Sequence, residues 1–316
     1  MKKRKLGNSG LEIAPLALGG NVFGWTADEP TSFAVLDAFV AAGFNFIDTA
    51  DLYSAWAPGN TGGESETIIG NWLARRGGRD KVLIATKVGW NIAADRKGLA
   101  KAYIHKAVEG SLLRLRTDYI DLYQTHIDDP SIPVEETLEA YARLVELGKV
   151  RVIGASNLGA PRLKASLEAS DRLGYPRYRS FQPLYNLCDR AQFEGEVEAL
   201  CVKEELGVIT YFSLASGFLT GKYRSEKDLA GRARADEVKK YLNARCLRIL
   251  KTLDEVSARC HATPAQVALA WLLSRPSVTA PIASATSVAQ LTNLIRATEL
   301  KLDRDAIDAL DCASAS

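Results

Sequence analysis

Short apolar runs alternate with amphipathic stretches along most of this chain. Eight of the runs are short enough, and rich enough in apolar residues, to be buried strands: Leu16–Leu18, Phe46–Asp48, Val82–Thr86, Tyr119–Gln124, Val150–Ala155, Ser180–Pro183, Gly207–Tyr211 and Thr279–Ile282. The stretches between them carry apolar residues at helical spacing: Ser32–Ala42, Glu64–Arg75, Lys101–Leu115, Val134–Glu146, Arg162–Leu173, Glu194–Leu206, Pro264–Leu273 and Val288–Ala297. Prolines mark several starts, as at Pro133, Pro161 and Pro264. Strands that alternate with helices pair in parallel, because each parallel crossover needs enough chain to hold a helix. Eight such units predict an α/β fold of the closed (β/α)8 TIM-barrel type, with residues 1–316 forming a single domain.

Two additions depart from a minimal barrel. The turn-like Gly7-Asn8-Ser9-Gly10, between short apolar pieces, predicts an N-terminal hairpin that plugs the barrel bottom. The polar stretch Arg224–Lys240 and a helix near Asn243–Arg259 form a long insertion after the seventh strand, and long barrel loops usually serve binding. After the first strand, Leu18-Gly19-Gly20-Asn21-Val22-Phe23-Gly24 lacks the glycine spacing of a Rossmann dinucleotide turn. Any dinucleotide site must therefore be built differently.

Barrel geometry says where to look for chemistry, since active sites form where strands end and βα loops begin. Asp48 ends the second strand, and Tyr53 lies on the loop just beyond it. Lys87 ends the third strand and His126 the fourth. Consecutive strand ends are neighbours, so these four side chains converge on one spot. Tyr53 is a candidate proton donor, but an unperturbed phenol has a pKa of about 10 and needs help near neutrality. A lysine cation about 4 Å away contributes about 4 kcal/mol at an effective dielectric of 20, equivalent to roughly three pKa units. Asp48 would hold Lys87 charged and oriented, and His126 would fix a substrate carbonyl or share the proton.

Composition narrows the partners. Of 316 residues 40 are basic and 38 acidic, so the formal net charge of +2 gives no field for nucleic acid or an anionic membrane. The basic Met1-Lys2-Lys3-Arg4-Lys5 is followed by Leu6-Gly7-Asn8-Ser9-Gly10 where a signal peptide needs an apolar run, and no stretch matches a membrane span, so a cytoplasmic location is expected. The five cysteines include no Cys-x-x-Cys pair and read as free thiols. Three widely spaced histidines, His105, His126 and His261, predict no metal site.

The segments Gly43–Tyr53, Gly63-Glu64-Ser65-Glu66, Thr86-Lys87, Asp118–His126, Gly148–Asn157 and Ser213–Tyr223, in this order, closely resemble the aldo-keto reductase family over nearly the whole chain. Detailed likeness is greatest to the bacterial branch related to potassium-channel β subunits. The resemblance implies NADPH-dependent reduction of aldehydes or ketones, sugars included, to alcohols, with Tyr53 as general acid and Asp48, Lys87 and His126 as its support. It also implies a cofactor site. Ser156, Asn157 and Gln182 match the family's carboxamide-binding positions, although Ser156 and Asn157 by themselves read as a helix cap, and Tyr211, followed by Phe212, matches the aromatic residue stacked on nicotinamide. Leu214-Ala215-Ser216-Gly217 resembles the pyrophosphate cradle, with Lys222 and Arg234 closing over it.

Many relatives place a cation before the last helix to pair the adenosine 2′-phosphate, whereas this chain has Ala283-Ser284-Ala285-Thr286-Ser287, then Gln290 and Asn293. Hydroxyls of Ser284, Thr286 and Ser287 at a helix N-terminus can still meet an anion there, so NADP(H) is the expected cofactor and NAD(H) stays open. Phe23, Trp25, Trp56 and Trp90 read equally as an aromatic substrate wall or as core and loop-anchoring residues, and Asp128 as a polar contact or a solvated loop acid. Two rivals stand beside the reductase reading. One is a Schiff-base enzyme built on Lys87; the other is a cofactor-sensing binding subunit of a larger assembly with negligible turnover. The sequence leaves the oligomeric state and the physiological substrate open.

Overall fold

The computed structural model describes residues 2–315. Its eight parallel strands close into a barrel: β3 (Ala17–Gly19), β4 (Phe46–Asp48), β5 (Leu83–Val88), β6 (Ile120–Thr125), β7 (Val150–Ser156), β8 (Tyr178–Gln182), β9 (Gly207–Thr210) and β10 (Val278–Ala283). The ring is sealed by pairing of Ile282 with Ala17 and Ala283 with Leu18. Each of the eight strands expected from the apolar runs is present, displaced by at most a few residues at the ends.

The helices that cover the barrel are α1 (Glu29–Ala41), α2 (Glu64–Arg76), α3 (Lys101–Leu115), α4 (Val134–Glu146), α5 (Ala160–Leu173), α6 (Glu196–Lys203), α9 (Pro264–Ser274) and α10 (Val288–Ile295). Local chemistry fixes several starts. The Asp28 carboxylate accepts the Thr31 amide at the head of α1, and Thr263 and Gln266 form a reciprocal capping box at the head of α9. The helix α8 (Ala244–Arg259) begins at Asn243, whose side chain accepts the Cys246 amide.

The helix at the end of the chain was not expected. The last helix, α11 (Arg304–Ser314), packs on α8 and begins at Asp303, which accepts the Ala306 amide. Its buried positions are Ala306, Leu310 and Ser314, which fall on one face of the helix. Polar contacts hold it as well: Asp311 accepts from the Trp271 indole at 2.9 Å and pairs with Arg275.

The N-terminal hairpin is present as β1 (Arg4–Lys5) and β2 (Glu12–Ile13). Leu6, Leu11 and Ile13 join Ala17, Phe46, Ala85, Leu122, Ile209 and Ala280 in the apolar filling of the barrel, so the hairpin stoppers the end opposite the strand C-termini. Gly7 makes the approach possible, because a Cβ there would fall 2.5 Å from the Glu205 carbonyl oxygen and the Gly207 nitrogen. The insertion after β9 holds two 3₁₀ turns, Ala215–Thr220 and Glu226–Leu229, the short helix α7 (Ala235–Lys239) and then α8. No helix among the described residues is long and apolar enough to cross a membrane.

Candidate active site

Asp48, Lys87 and Gln124 come from three adjacent strands, with Asp48 opposite Ala85 and Lys87 opposite Gln124 in the ladders. The Lys87 ammonium is fully buried and donates to Asp48 Oδ2 at 2.7 Å, to the Thr49 carbonyl at 2.8 Å and to Tyr53 Oη at 2.8 Å. All three of its protons are thereby assigned. Asp48 Oδ2 also lies 3.2 Å from Tyr53 Oη, while its Oδ1 accepts from Gln182 Nε2 at 2.9 Å. His126 follows β6 directly, its ring 6.0 Å from that of Tyr53 and 5.1 Å from that of Trp90. The four strand-end residues do converge, and Gln124 and Gln182 complete the floor.

The electrostatics differ from the sequence expectation. Burial of the hydroxyl, and after it the Asp48 carboxylate, hold the Tyr53 phenol well above its ordinary pKa. The lysine does not outweigh these effects, because Asp48 contacts both groups and burial disfavours phenolate. Burial lowers the Lys87 ammonium against the pull of Asp48. His126 is held well below its usual range by burial and then by the Lys87 charge, which makes it a neutral imidazole. Its buried Nδ1 has no hydrogen-bond partner.

A cleft of about 1160 Å³ opens above this floor. Ser156, Asn157, Gln182 and Tyr211 line one side of it. Ser156 Oγ donates to the Gln182 carbonyl at 2.8 Å, Asn157 Nδ2 to the His126 carbonyl at 2.9 Å, and the Tyr211 hydroxyl to Asn157 Oδ1 at 2.7 Å. Ser156 and Asn157 do not cap the next helix, whose first flanking residue is Gly159. Beyond them Phe212, Ala215, Ser216 and Gly217 all have positive φ, from 48° to 96°. Such a run turns backbone amides toward one side and makes an anion-binding concavity. Ser216 Oγ is buried there without a partner. A methyl group on Gly217 would stand 3.5 Å from Lys222 Nζ, so the ammonium hangs beside the loop. The Arg234 guanidinium stacks 5.3 Å from the Trp25 ring centre, with burial lowering its pKa.

Trp25, Trp56 and Trp90 line the cleft, and the Trp56 ring lies 6.0 Å from that of Tyr53. Phe23 does not. The turn after β3 folds Phe23 inward, where it is fully buried in the core and its carbonyl accepts from Ser54 Oγ at 2.7 Å. Ser287 is also outside the cleft; its hydroxyl caps α10 by accepting the Gln290 amide. Ser284, Thr286, Gln290 and Asn293 do line it, yet the Gln290 carboxamide oxygen already accepts from the Thr286 amide and hydroxyl, and Asn293 Oδ1 from Gln266 Nε2. Asp128 pairs with Arg162 at 2.8 Å and is not in the lining. Sequence reasoning missed Asn21, Asn91 and Arg232, which sit on loops without periodic signal, and Glu237 in the short helix α7. It also missed the site role of Gln124, although an amide near the end of the buried strand Ile120–Thr125 was a visible sign. Among the described residues no group of three ligand-type side chains could hold a metal ion.

Comparison with known proteins matches the aldo/keto reductase family to residues 15–315. This chain belongs to that family. It is 37% identical to an uncharacterized oxidoreductase, YrpG, of Bacillus subtilis, over 98% of this chain and 95% of that protein. Protein tas of Escherichia coli is 32% identical over 97% and 96% of the two chains. A probable voltage-gated potassium channel subunit beta of Arabidopsis thaliana is 31% identical over 95% and 92%. As an aldo/keto reductase family member with relatives named oxidoreductases, the chain has an oxidoreductase role.

Proposed function

We propose that this protein reduces aldehydes or ketones to alcohols with NADPH, Tyr53 donating the proton to the carbonyl oxygen. The observation that carries the reading is the closed cluster of Tyr53, Lys87 and Asp48 at the floor of a cleft wide enough for a dinucleotide and a substrate. The positive-φ loop with its unpartnered Ser216 hydroxyl fits a pyrophosphate, with Lys222 and Arg234 as the cations that close over it. Ser156, Asn157 and Gln182 would take the carboxamide, and Tyr211 with Phe212 and Leu214 the nicotinamide side. When bound, the reduced cofactor supplies the hydride.

The residues of this chain do the rest. Tyr53 rests as a neutral phenol, the form an acid must have, and releases its proton only to a base as strong as a developing alkoxide. The Lys87 ammonium, 2.8 Å away, stabilises the phenolate as it forms. Neutral His126 is a donor beside Tyr53 that can orient the carbonyl oxygen without competing for its proton. The three tryptophans of the cleft suit an apolar or planar substrate.

The Schiff-base alternative is opposed by Lys87, whose protons are all donated within the protein and whose amine is buried. A binding subunit without turnover would need only the cofactor residues, so the intact proton-donor cluster favours catalysis. Residues 1–316 as one domain, acting in the cytoplasm, complete the proposal. A steady-state screen of aldehydes, ketoses and diketones with both reduced cofactors tests it: turnover with NADPH is expected, and none with any carbonyl would overturn it. Fluorescence titration showing NADH bound as tightly as NADPH would remove the NADPH preference.

A further inference from the structure

A second group of charged residues lies next to the Asp48–Lys87 pair but outside the lining of the cleft. Glu66, on α2, is fully buried; it accepts from Thr86 Oγ1 at 2.6 Å and pairs with Arg114 of α3 at 2.7 Å. Asp51, on the loop after β4, is 2% exposed, and its amide reaches the Lys87 carbonyl at 3.3 Å. Its Oδ1 is buried with no hydrogen-bond partner, and so is the hydroxyl of Tyr123 on β6.

Charge balance singles out Asp51. Asp48 and Glu66 each face a cation at 2.7 Å, forming two closed pairs. Asp51 is a third carboxyl in the same buried neighbourhood and has no such partner among the described residues. An ionised carboxylate left so would be costly, and a buried acid in that position keeps its proton instead.

We propose that Asp51 is a positioning residue acting through Lys87: it stands as a neutral acid in the working enzyme, and its ionisation adds an unbalanced negative charge beside Lys87 that makes Tyr53 a poorer proton donor. The proposal rests on the reading of Tyr53 as the acid. Burial first, and then the Glu66 carboxylate, push the Asp51 carboxyl up to about 8, while Arg114, Arg96 and the Leu52 amide pull the other way. The groups that face it are Glu66 from α2, Arg114 and Tyr103 from α3, Tyr123 from β6, Tyr141 from α4, Lys87 from β5 and Arg96 from the loop beyond β5. Extra negative charge there opposes formation of phenolate, so carbonyl reduction slows as pH rises through the ionisation.

The test compares the wild type with Asp51→Asn, a near-isosteric substitution that cannot ionise. Difference infrared spectroscopy between about pH 6 and about pH 9 should show a protonated carboxyl C=O stretch that disappears on raising the pH. That band should be absent from the variant. Across the same range kcat of the wild type for a neutral aldehyde should fall on the order of tenfold, while the variant stays flat with KM within about twofold of the wild type. Glu66→Gln removes the like charge and should move the infrared midpoint to lower pH. A wild type without the band at neutral pH, a band that Asp51→Asn retains, or a kcat profile unchanged by the substitution would overturn the proposal. A wild type that shows the band yet reduces no carbonyl would sink the reading of Tyr53, and with it the kinetic half of the proposal.

Discussion

The Lys87 ammonium donates across 2.8 Å to the Tyr53 hydroxyl, and it is the only cation in hydrogen-bond contact with that oxygen among the described residues. Burial, the Asp48 carboxylate at 3.2 Å and this one donor form the immediate surroundings of the phenol oxygen.

Tyr53→Phe keeps the ring against Trp56 and deletes the proton donor. Carbonyl reduction should fall by on the order of 10²-fold or more. Cofactor affinity, read by fluorescence titration, should change little; unaltered turnover would remove Tyr53 from the chemistry.

Lys87→Met leaves Asp48, 1% exposed, without its cation. Breaking a buried pair in this way costs about 3–5 kcal/mol, so the variant should unfold at clearly lower urea concentration as well as lose turnover. A variant as stable and active as the wild type would contradict the buried pair.

His126 gives a pH dependence of stability. Its folded pKa lies well below 6.5, so just below pH 6.5 the unfolded chain binds the proton and the folded chain does not. The unfolded state then holds more protons, and stability falls as pH falls, by about 1.4 kcal/mol per unit until the folded pKa is reached. Urea titrations of the wild type and His126→Gln over that window should diverge, with the variant less sensitive to acid. Parallel curves would place the imidazole in a wetter setting.

Phe23 and Trp90 should separate core from cleft. Phe23→Ala empties a fully buried site and should cost about 3–5 kcal/mol of stability. Trp90→Ala, in the cleft beside His126, should instead raise KM for aromatic aldehydes while the urea midpoint moves less. The reverse pattern would mean that the turn after β3 is built differently.

Ser287→Ala should cost about 1 kcal/mol through loss of the cap on α10. NADPH affinity should not change, because the hydroxyl is outside the cleft. A marked loss of cofactor binding would return Ser287 to the phosphate site.

The barrel was legible because eight strands buried on both faces must be nearly continuous apolar runs, and polar residues at their ends, such as Asp48 and Lys87, stand out against that background. What failed to show were features decided by tertiary geometry. Whether Phe23 or Trp25 faces the cleft depends on one turn, Gly20–Ala27, whose residues have no periodicity. The helix α11 was hidden because only Ala306, Leu310 and Ser314 are buried in it, and the contacts of Asp311 that dock it need Trp271 and Arg275, which only the fold brings to it. The raised pKa of Tyr53 was out of reach because a charge in the sequence carries no information about how far water is excluded around it.

The seal between Ile282 and Ala17 has a consequence for how the chain is made. Asp48, Tyr53, Lys87 and His126 all leave the ribosome long before the strand that locks their scaffold into a ring. Pairing elements so distant in sequence is intrinsically slow, and until it happens both edge strands stay open to wrong partners. Substitutions along this one seam should therefore register first in the yield of folded protein at expression, before any change in how a finished molecule works.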